Sequence, residues 1–570
     1  MMDAQPATAP QTIARREAAQ VMRLARLGSF HQSRLSFMRV LTRRMAAQGW
    51  RFSRPVFDID ANGVGHAVYC AHTPDRTYSL VAFAHDLPAE KRSDRVIAEA
   101  WDSTFTLFDG VPTQADIDRL RANIPLQEAG RVSDRELSVS RANRSVRLWD
   151  YMIDCLARGE QPRQSEIDKV GYLMRTTAVY GSGKLGAADR DVIAARPECG
   201  EPFQIEMLSV FLTRTYVRDL MQHMANQRGG AKAVTLEPAI ARSLGIGNST
   251  GLGMAPFLLN HPKLLNNWIA AREEAIARVR SLSAATPDSV TLFKDLLHRS
   301  VMSAQIWSSQ HPIQVEKLTQ LRADLALALH HVTEVADFTQ SQPWNALFVW
   351  AEGALGVDAQ ECLASLMLEP HGALVDELSA SMSDRDAGGF RIDGAMSVAE
   401  LRAILQESYG WALDVDWAAK ARCARAWYVS EEKLEPRLGE RFEEPIAAYE
   451  QPLAPGRDAA ALFATLAGWD GTTALAEVLL KHPEHRHSVR RAQIVARAPY
   501  AEIRDNTIGA DLLPIDMLRC KLSFFGATHF DPRSDRWVRI CMFGNAPYPE
   551  ELGQDHDPYW AYPARAPAAP

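Results

Sequence analysis

The chain has 570 residues, of which 46% are apolar and 23% charged, which is ordinary for a globular protein. Its net charge of −7 at pH 7 gives no whole-chain argument for nucleic-acid binding, and no apolar run reaches the roughly 18 residues that a membrane span needs. The seven cysteines are dispersed without a CxxC pair, which favours free thiols in a reducing compartment and hence a cytoplasmic protein.

The first quarter of the chain predicts a small domain of mixed structure. Residues 1–11 are rich in Pro and Ala, and we expect them to be disordered. Residues 12–130 are predicted to form a basic helix followed by a small antiparallel sheet. Apolar residues recur at helical spacing from Leu35 to Met45. Turn signals then separate four predicted strands, at Val56–Asp60, His66–His72, Thr77–His85 and Trp101–Phe108.

Residues 140–380 are predicted to form a helical domain, because apolar residues recur there at spacings of three and four. The predicted helices are Arg147–Arg158, Glu201–Gln227, Leu264–Val279, Leu292–Trp307 and Val315–Val335. Several prolines lie near the ends of these segments, where proline is tolerated.

The last third of the chain predicts a mixed α/β region over residues 385–550 and a Pro- and Ala-rich tail over residues 551–570. It includes a helix at Val398–Gln406 and a hairpin over Leu522–Phe543 that turns near Asp531–Asp535. We therefore expect an α+β fold: a predominantly helical multi-domain protein with a small antiparallel sheet near the N-terminus and a hairpin near the C-terminus.

A first glycine-rich segment runs from Tyr180 to Gly186 and reads YGSGKLG. Glycines allow successive backbone N–H groups to converge on an anion, and Lys184 and Arg190 add positive charge. We therefore predict substrate binding by Gly181, Ser182, Gly183 and Arg190, and catalytic roles for Tyr180 and Lys184. The alternative is a tight connection between a strand and a helix, with Lys184 in solvent.

The same segment matches the GxGxxG pattern of dinucleotide-binding proteins, which requires a strand before the loop, a helix after it and an acidic residue at the end of the next strand. Thr176–Tyr180 fits the first strand and Ala187–Ala195 a short helix. The long helix predicted from Glu201 leaves no room for the second strand, so the pattern disfavours a dinucleotide site.

A second glycine-rich segment runs from Gly245 to Gly253 and reads GIGNSTGLG. Met254, Phe257 and Leu258 follow at helical spacing, so we expect the segment to open a helix, whose N-terminus favours anions. We predict substrate binding by Gly247, Asn248 and Thr250, and catalytic roles for Ser249 and His261. The alternative is that the polar residues only cap a helix.

No metal site is predicted. His66 and His72 lie on one face of a predicted strand but roughly 20 Å apart, which is too far to share an ion. A calcium-loop pattern that begins at Asp384 has Ala395 where the bidentate glutamate is required.

These features favour a metabolic enzyme that acts on a small anionic or polar metabolite by acid–base chemistry, of lyase or hydrolase type and without a redox cofactor. The two glycine-rich segments would meet and hold the anionic group. One alternative is a nucleotide-dependent enzyme with Gly181–Gly186 on the phosphates; another is a non-catalytic helical scaffold. The expected partner is a small molecule rather than a nucleic acid or a membrane, while the cofactor and the oligomeric state stay open.

Overall fold

The computed structural model describes residues 12–29, 31–88, 90, 100–126, 129–177, 186–188, 190–250, 262–383, 390–417, 454–504, 516, 519–527, 529–532, 538–554 and 559–564. The fold is α+β. The chain divides into two compact units, and neither is continuous in sequence. We call residues 1–33, 250–520 and 532–538 the helical unit, and residues 34–249, 521–531 and 539–570 the sheet unit.

A large mixed sheet forms the centre of the sheet unit. Its strands are β1 (Arg51–Ile59), β2 (Gly65–His72), β3 (Thr77–Ala84), β4 (Ser103–Asp109), β5 (Glu136–Arg144), β6 (Tyr172–Thr177), β7 (Gly186–Ala187), β8 (Gly245–Thr250), β9 (His529–Pro532) and β10 (Val538–Met542). The spatial order is β1-β2-β3-β4-β5-β6-β8-β10-β9, and β7 pairs with β5 outside this path. Strands β1 to β6 pair antiparallel in succession, whereas β6 and β8 are parallel.

The expectation of a small N-terminal sheet is wrong. The four strands predicted before residue 110 are present, but they are one side of a sheet that continues through β5, β6 and β8 to the C-terminal strands. The predicted hairpin also begins too early, because Leu522 lies in the helix Lys521–Phe525. Strands β9 and β10 are neighbours at the far edge of the same sheet rather than a separate hairpin.

The described residues of the sheet unit also form helices. They are Phe37–Ala47, Gln114–Asn123, Trp149–Ala157, Gln164–Asp168, Arg190–Ala194, Gln204–Gly229, Pro238–Ser243 and Lys521–Phe525, with 3-10 turns at Pro197–Cys199, Gly230–Lys232 and Pro549–Glu551. We call Gln204–Gly229 the crossover helix, because it lies in sequence between the parallel strands β6 and β8. Its Tyr216 ring packs edge-on against Phe105 at 5.5 Å and Tyr69 at 6.2 Å between ring centroids.

The described residues of the helical unit are mainly helical. The helices are Ala18–Val21, Leu24–Leu27, Pro262–Arg280, Pro287–Ile306, Pro312–His330, Pro343–Ala354, Val357–Met367, Gly372–Val375, Val398–Leu413, Ala454–Leu466, Leu475–Lys481 and Arg486–Arg497. A π-helical turn spans His331–Val335, and 3-10 turns span Glu369–His371, Asp376–Met382 and Pro483–His485. Four of the helices begin at a proline, which suits the first helical position because that residue needs no backbone N–H donor.

Five charged side chains form a buried ion cluster inside the helical unit. Glu361 is fully buried and accepts bonds from Arg16 at 2.7 Å and Arg272 at 2.9 Å, and it also pairs with Arg26. Glu273, likewise fully buried, pairs with Arg16 at 2.7 Å and Arg272 at 3.2 Å. Because buried charges are tolerated only when paired, this cluster ties the start of the chain to two of the central helices.

A separate apolar cluster joins three later helices of the helical unit. Leu401 and Leu405 of Val398–Leu413 pack with Leu462 and Val489 from the two other helices, and all four are fully buried.

No helix among the described residues is long and apolar enough to cross a membrane.

Candidate functional site

The carboxyl ends of β6 and β8 lie side by side at one edge of the sheet. The strands are parallel, with Tyr172 opposite Gly245 and Arg175 opposite Gly247. The Nδ2 atom of Asn248 donates a hydrogen bond of 3.1 Å to the carbonyl oxygen of Thr176. In sequence, β6 ends shortly before the first glycine-rich segment, and β8 forms the first six residues of the second. The carboxyl ends of parallel strands are where α/β proteins commonly bind ligands.

The crossover helix makes this parallel arrangement possible, because two parallel neighbours need a long connection that returns across the sheet. Tyr216 of this helix contacts Ser103 of β4, with 3.2 Å between the two hydroxyl oxygens. Ser103, Ala142 and Thr176 pair laterally across β4, β5 and β6 and therefore project to the face that the helix covers.

The opposite face of the sheet is apolar along one part of its strands and mostly polar along the next. Val68, Val81 and Val139 lie there under Ile117 and Leu120 of the helix Gln114–Asn123, and all are buried. The next two lateral rows on this face are mostly polar over β4 to β6, and we call this part of them the polar rows. One row continues from Phe83 of β3 to Thr104 and Arg141, and the other contains Asn143, Arg175 and Gly247.

Two arginines project from the polar rows on neighbouring strands. Arg141 stacks on Trp101, with 4.1 Å between its guanidinium carbon and the ring centroid. Arg175 is 5% exposed. Because Arg175 lies diagonally across from Arg141 on the same face, the two guanidinium groups bring positive charge to the edge of the sheet where β6 ends. Planar guanidinium groups suit the recognition of carboxylates and phosphates.

A histidine adjoins the same rows. His85 follows β3, and its Nε2 atom lies 3.0 Å from the hydroxyl oxygen of Thr104. Burial lowers the pKa of His85 below its ordinary value of 6.5, and the Asp102 carboxylate only partly opposes this. The imidazole is therefore neutral at pH 7 and able to accept a proton, as a general base requires.

The structure describes only some of the side chains that the sequence singles out. Tyr180, Gly181, Ser182, Gly183, Lys184 and His261 lie outside the described residues. Arg190 begins the helix Arg190–Ala194, and Ser249 and Thr250 end β8, but the side chains of all three are outside the described part. Gly247 and Asn248 are described, and both belong to β8.

Gly245–Thr250 of the second glycine-rich segment is strand β8 rather than the start of a helix, and the helix expected at Met254, Phe257 and Leu258 lies outside the described residues. Ile246 is fully buried, and Gly247 has the Tyr172 ring beside it, so this stretch lies inside the sheet. A strand therefore does follow the first glycine-rich segment in parallel with β6. It ends in Asn248, Ser249 and Thr250, without the acidic residue of a dinucleotide site.

His85, Arg141 and Arg175 were not among the residues predicted from the sequence. Arg141 lies in β5 and Arg175 in β6, within a region that was predicted to be mostly helical. Alternation of side chains along β5 would have been the only local signal.

Cys70 and His72 cannot share a metal ion with His85, because they lie at opposite ends of β2 and β3: Cys70 pairs with Ser79, whereas His85 follows the end of β3 at Ala84. Within the described residues, no three His, Cys, Asp or Glu side chains are grouped so that they could hold a metal ion.

Comparison of the chain with protein-family models, with curated proteins and with solved structures gave no match.

Proposed function

We propose that the protein is a metabolic enzyme that binds a small anionic metabolite beside the carboxyl ends of β6 and β8. The observation that carries this proposal is the presence of Arg141 and Arg175 on one face of neighbouring strands at that edge. Two guanidinium groups match a dicarboxylate or a phosphate ester. The cytoplasm is the proposed location, because dispersed cysteines suit a reducing compartment.

The glycine-rich segments complete the proposed site. Their backbone N–H groups would bind the second anionic group, with Lys184 beside it and Asn248 orienting the substrate. Tyr180, Ser249 and His261 are the proposed partners in proton transfer.

Acid–base chemistry is the proposed reaction type, with His85 as the general base. A neutral imidazole on the sheet face that also carries the two guanidinium groups suits removal of a proton from carbon beside a carboxylate, because the cations stabilise the negative charge that develops. This is the first step of many lyase reactions, so we favour a lyase over a hydrolase.

Ligand-induced thermal stabilisation tests the binding step. Succinate, malate and inorganic phosphate are the probes for the proposed site, and ATP and NAD are the probes for the alternative, a nucleotide-dependent enzyme. We expect an anion to raise the melting temperature. Arg141→Gln and Lys184→Ala should each weaken its binding about tenfold or more, because each removes a charge-assisted hydrogen bond. The control Arg158→Gln removes an arginine that is 57% exposed and pairs with Glu160 elsewhere in the sheet unit, and it should bind normally.

Exchange of carbon-bound hydrogen in D2O, followed by NMR on the anion that binds best, tests the chemical step. His85→Asn should slow this exchange by a factor on the order of 100 or more while the anion still binds. A response to ATP or NAD alone would instead support the nucleotide-dependent enzyme. Absence of any response, or an unchanged response in Arg141→Gln, would contradict the proposal and favour the scaffold.

A further inference from the structure

A cleft of about 760 Å³ opens in the sheet unit between the first two strands and the crossover helix. The start of β1, Tyr69 of β2, Leu212 to Asp219 of the helix, and Glu550 line it. Ligand-binding clefts in proteins commonly enclose roughly 300 to 1,000 Å³, so this one is large enough for a metabolite with a ring or a branched chain.

The carboxylate of Asp219 lines the cleft and is held by three hydrogen bonds. Asp219 accepts hydrogen bonds from Arg54 at 2.7 Å, from the Tyr69 hydroxyl at 2.9 Å and from Nε of Arg218 at 3.1 Å. Three donors from two strands and the helix hold this carboxylate in one position. The cleft is therefore built by residues that fix each other rather than by loose surface side chains.

Positive charge exceeds negative charge in the cleft. Three arginines line it, Arg51, Arg54 and Arg218, against two carboxylates, those of Asp219 and Glu550. Arg51 is exposed, and its guanidinium makes no ion pair within the described residues. The cleft thus has one cation in excess, which favours an anionic ligand.

Glu550 marks the position that an anionic group can take. Its carboxylate pairs with Arg218, but the Glu550 side chain is 57% exposed whereas that of Arg218 is 23% exposed. An ion pair with one partner so exposed contributes little to stability, so a ligand carboxylate can replace it at small cost. Arg218 itself is held from behind by the Tyr548 ring, 4.2 Å from its guanidinium carbon.

The rest of the lining is partly apolar, through Trp50, Phe52, Leu212 and Pro549, and includes the polar Ser53 and Thr215. Trp50 and Leu212 are almost fully buried, and Phe52 packs against Phe211 with 5.8 Å between ring centroids. The partly exposed Phe52 and Pro549 offer an apolar surface to the body of a ligand, and the arginines line the same cleft.

We propose that this cleft is a second binding site, for a small carboxylate with an aromatic or branched apolar body, and that the carboxylate displaces Glu550 from Arg218. The site is separate from the proposed active site, because β1 and β6 are five strand spacings apart along the sheet, on the order of 24 Å. Variants of the cleft and variants of the polar rows therefore report on the two proposals independently.

Isothermal titration calorimetry of the full chain tests the proposal with three matched probes: phenylacetate, its neutral amide 2-phenylacetamide, and acetate. Phenylacetate should bind more tightly than both others, because only it combines the apolar body with the anionic group. Arg218→Gln should weaken phenylacetate binding about tenfold or more, and Arg51→Gln about two- to fivefold, since the first residue is partly buried and the second exposed.

Glu550→Gln gives the sharpest result, because a gain of affinity cannot arise from misfolding. It should tighten phenylacetate binding about two- to fivefold by removing the competing carboxylate. The control Glu160→Gln removes a carboxylate that is 63% exposed and outside the cleft, and it should bind as the parent does. Failure of phenylacetate to bind, equal binding of the amide, or unchanged or weaker binding in Glu550→Gln would overturn the proposal.

Discussion

The ring of Tyr172 fills the space beside Gly247 on the neighbouring strand. A Cβ atom on Gly247 would lie 2.5 Å from Cγ of Tyr172, closer than real Cβ contacts allow. Tyr172 is 2% exposed, so its ring has nowhere to move. The close approach of β6 and β8 at the proposed active site therefore requires glycine at position 247.

Gly247→Ala should destabilise the sheet unit by about 1 to 3 kcal/mol, because the added methyl group overpacks the contact with Tyr172. Urea unfolding followed by circular dichroism measures the change. The matched control is Gly353→Ala in the helix Pro343–Ala354, where a Cβ atom meets nothing within 4 Å. This control should gain up to about 1 kcal/mol, because alanine favours helix. Equal stability of the parent and Gly247→Ala would contradict this prediction and show that the Tyr172 ring can move to accommodate a methyl group.

Glu361→Gln should destabilise the helical unit by about 3 to 5 kcal/mol, because it leaves the buried arginines of the ion cluster without their main counter-charge. Urea unfolding at pH 7 measures the loss. Glu274→Gln is the control, on the helix Pro262–Arg280 that supplies Arg272 and Glu273 to the ion cluster: its side chain is 29% exposed and pairs with Arg15 and Arg278, so the cost should stay below about 1 kcal/mol. A cost for Glu361→Gln no larger than that of the control would mean that the cluster contributes no net stability.

The ion cluster also predicts a pH dependence. Burial alone would raise the pKa of Glu361, but Arg16, Arg272 and Arg26 lower it well below the ordinary value of 4.5. A carboxyl with a lowered pKa stabilises the fold fully above pH 4.5 and loses this contribution as the pH falls toward its folded pKa. The free energy of unfolding should therefore fall on acidification below pH 4.5, and the fall should be smaller in Glu361→Gln.

His31→Phe should remove a loss of folding stability that the parent protein shows between pH 7 and pH 5. His31 stacks on Trp307, and both its ring nitrogens are buried without a hydrogen-bond partner in the described part of the chain. Its pKa is lowered from 6.5 to about 4 by burial first and by Arg519 second. Because the unfolded chain binds this proton and the folded chain does not, stability falls as the pH drops from 6.5 toward 4. The loss between pH 7 and pH 5 is about 2 kcal/mol.

Urea titrations at these two pH values measure that loss in the parent and in His31→Phe, where it should disappear. Replacement of the exposed His298 by Gln serves as the control and should leave the parent difference in place. An unchanged pH response in His31→Phe would mean that other groups cause it.

Much of the secondary structure could be predicted because its signals are local. The strand predicted at His66–His72 is β2, Gly65–His72, and the helix predicted at Leu264–Val279 is Pro262–Arg280. Turn residues delimit the first, and a proline starts the second. The extent of the sheet was missed because β5 carries Ser138, Ser140 and Asn143 in buried positions, so the alternation of apolar and polar residues along it is short and weak.

The candidate site was less accessible from the sequence. The glycine-rich segments indicated an anion site, and the roles of Lys184 and Ser249 stay predictions. Arg141 and Arg175 share a face only because β5 and β6 pair in one register, and such pairing over a distance leaves no signal in a single sequence. The cleft at Asp219 depends likewise on residues from both ends of the sheet unit.

The buried ion cluster has a consequence for how the chain matures on the ribosome. Arg16 and its partner Glu361 are 345 residues apart, so at about 5 to 20 residues per second roughly 20 to 70 s separate their synthesis. During this interval the nascent chain exposes a cationic, partly apolar segment around Arg16: its first buried counter-charge, Glu273, is made 257 residues later, and the second, Glu361, only at the end. Completion of the helical unit therefore waits for later translation, and nascent chains that stop before residue 361 are expected to need chaperones.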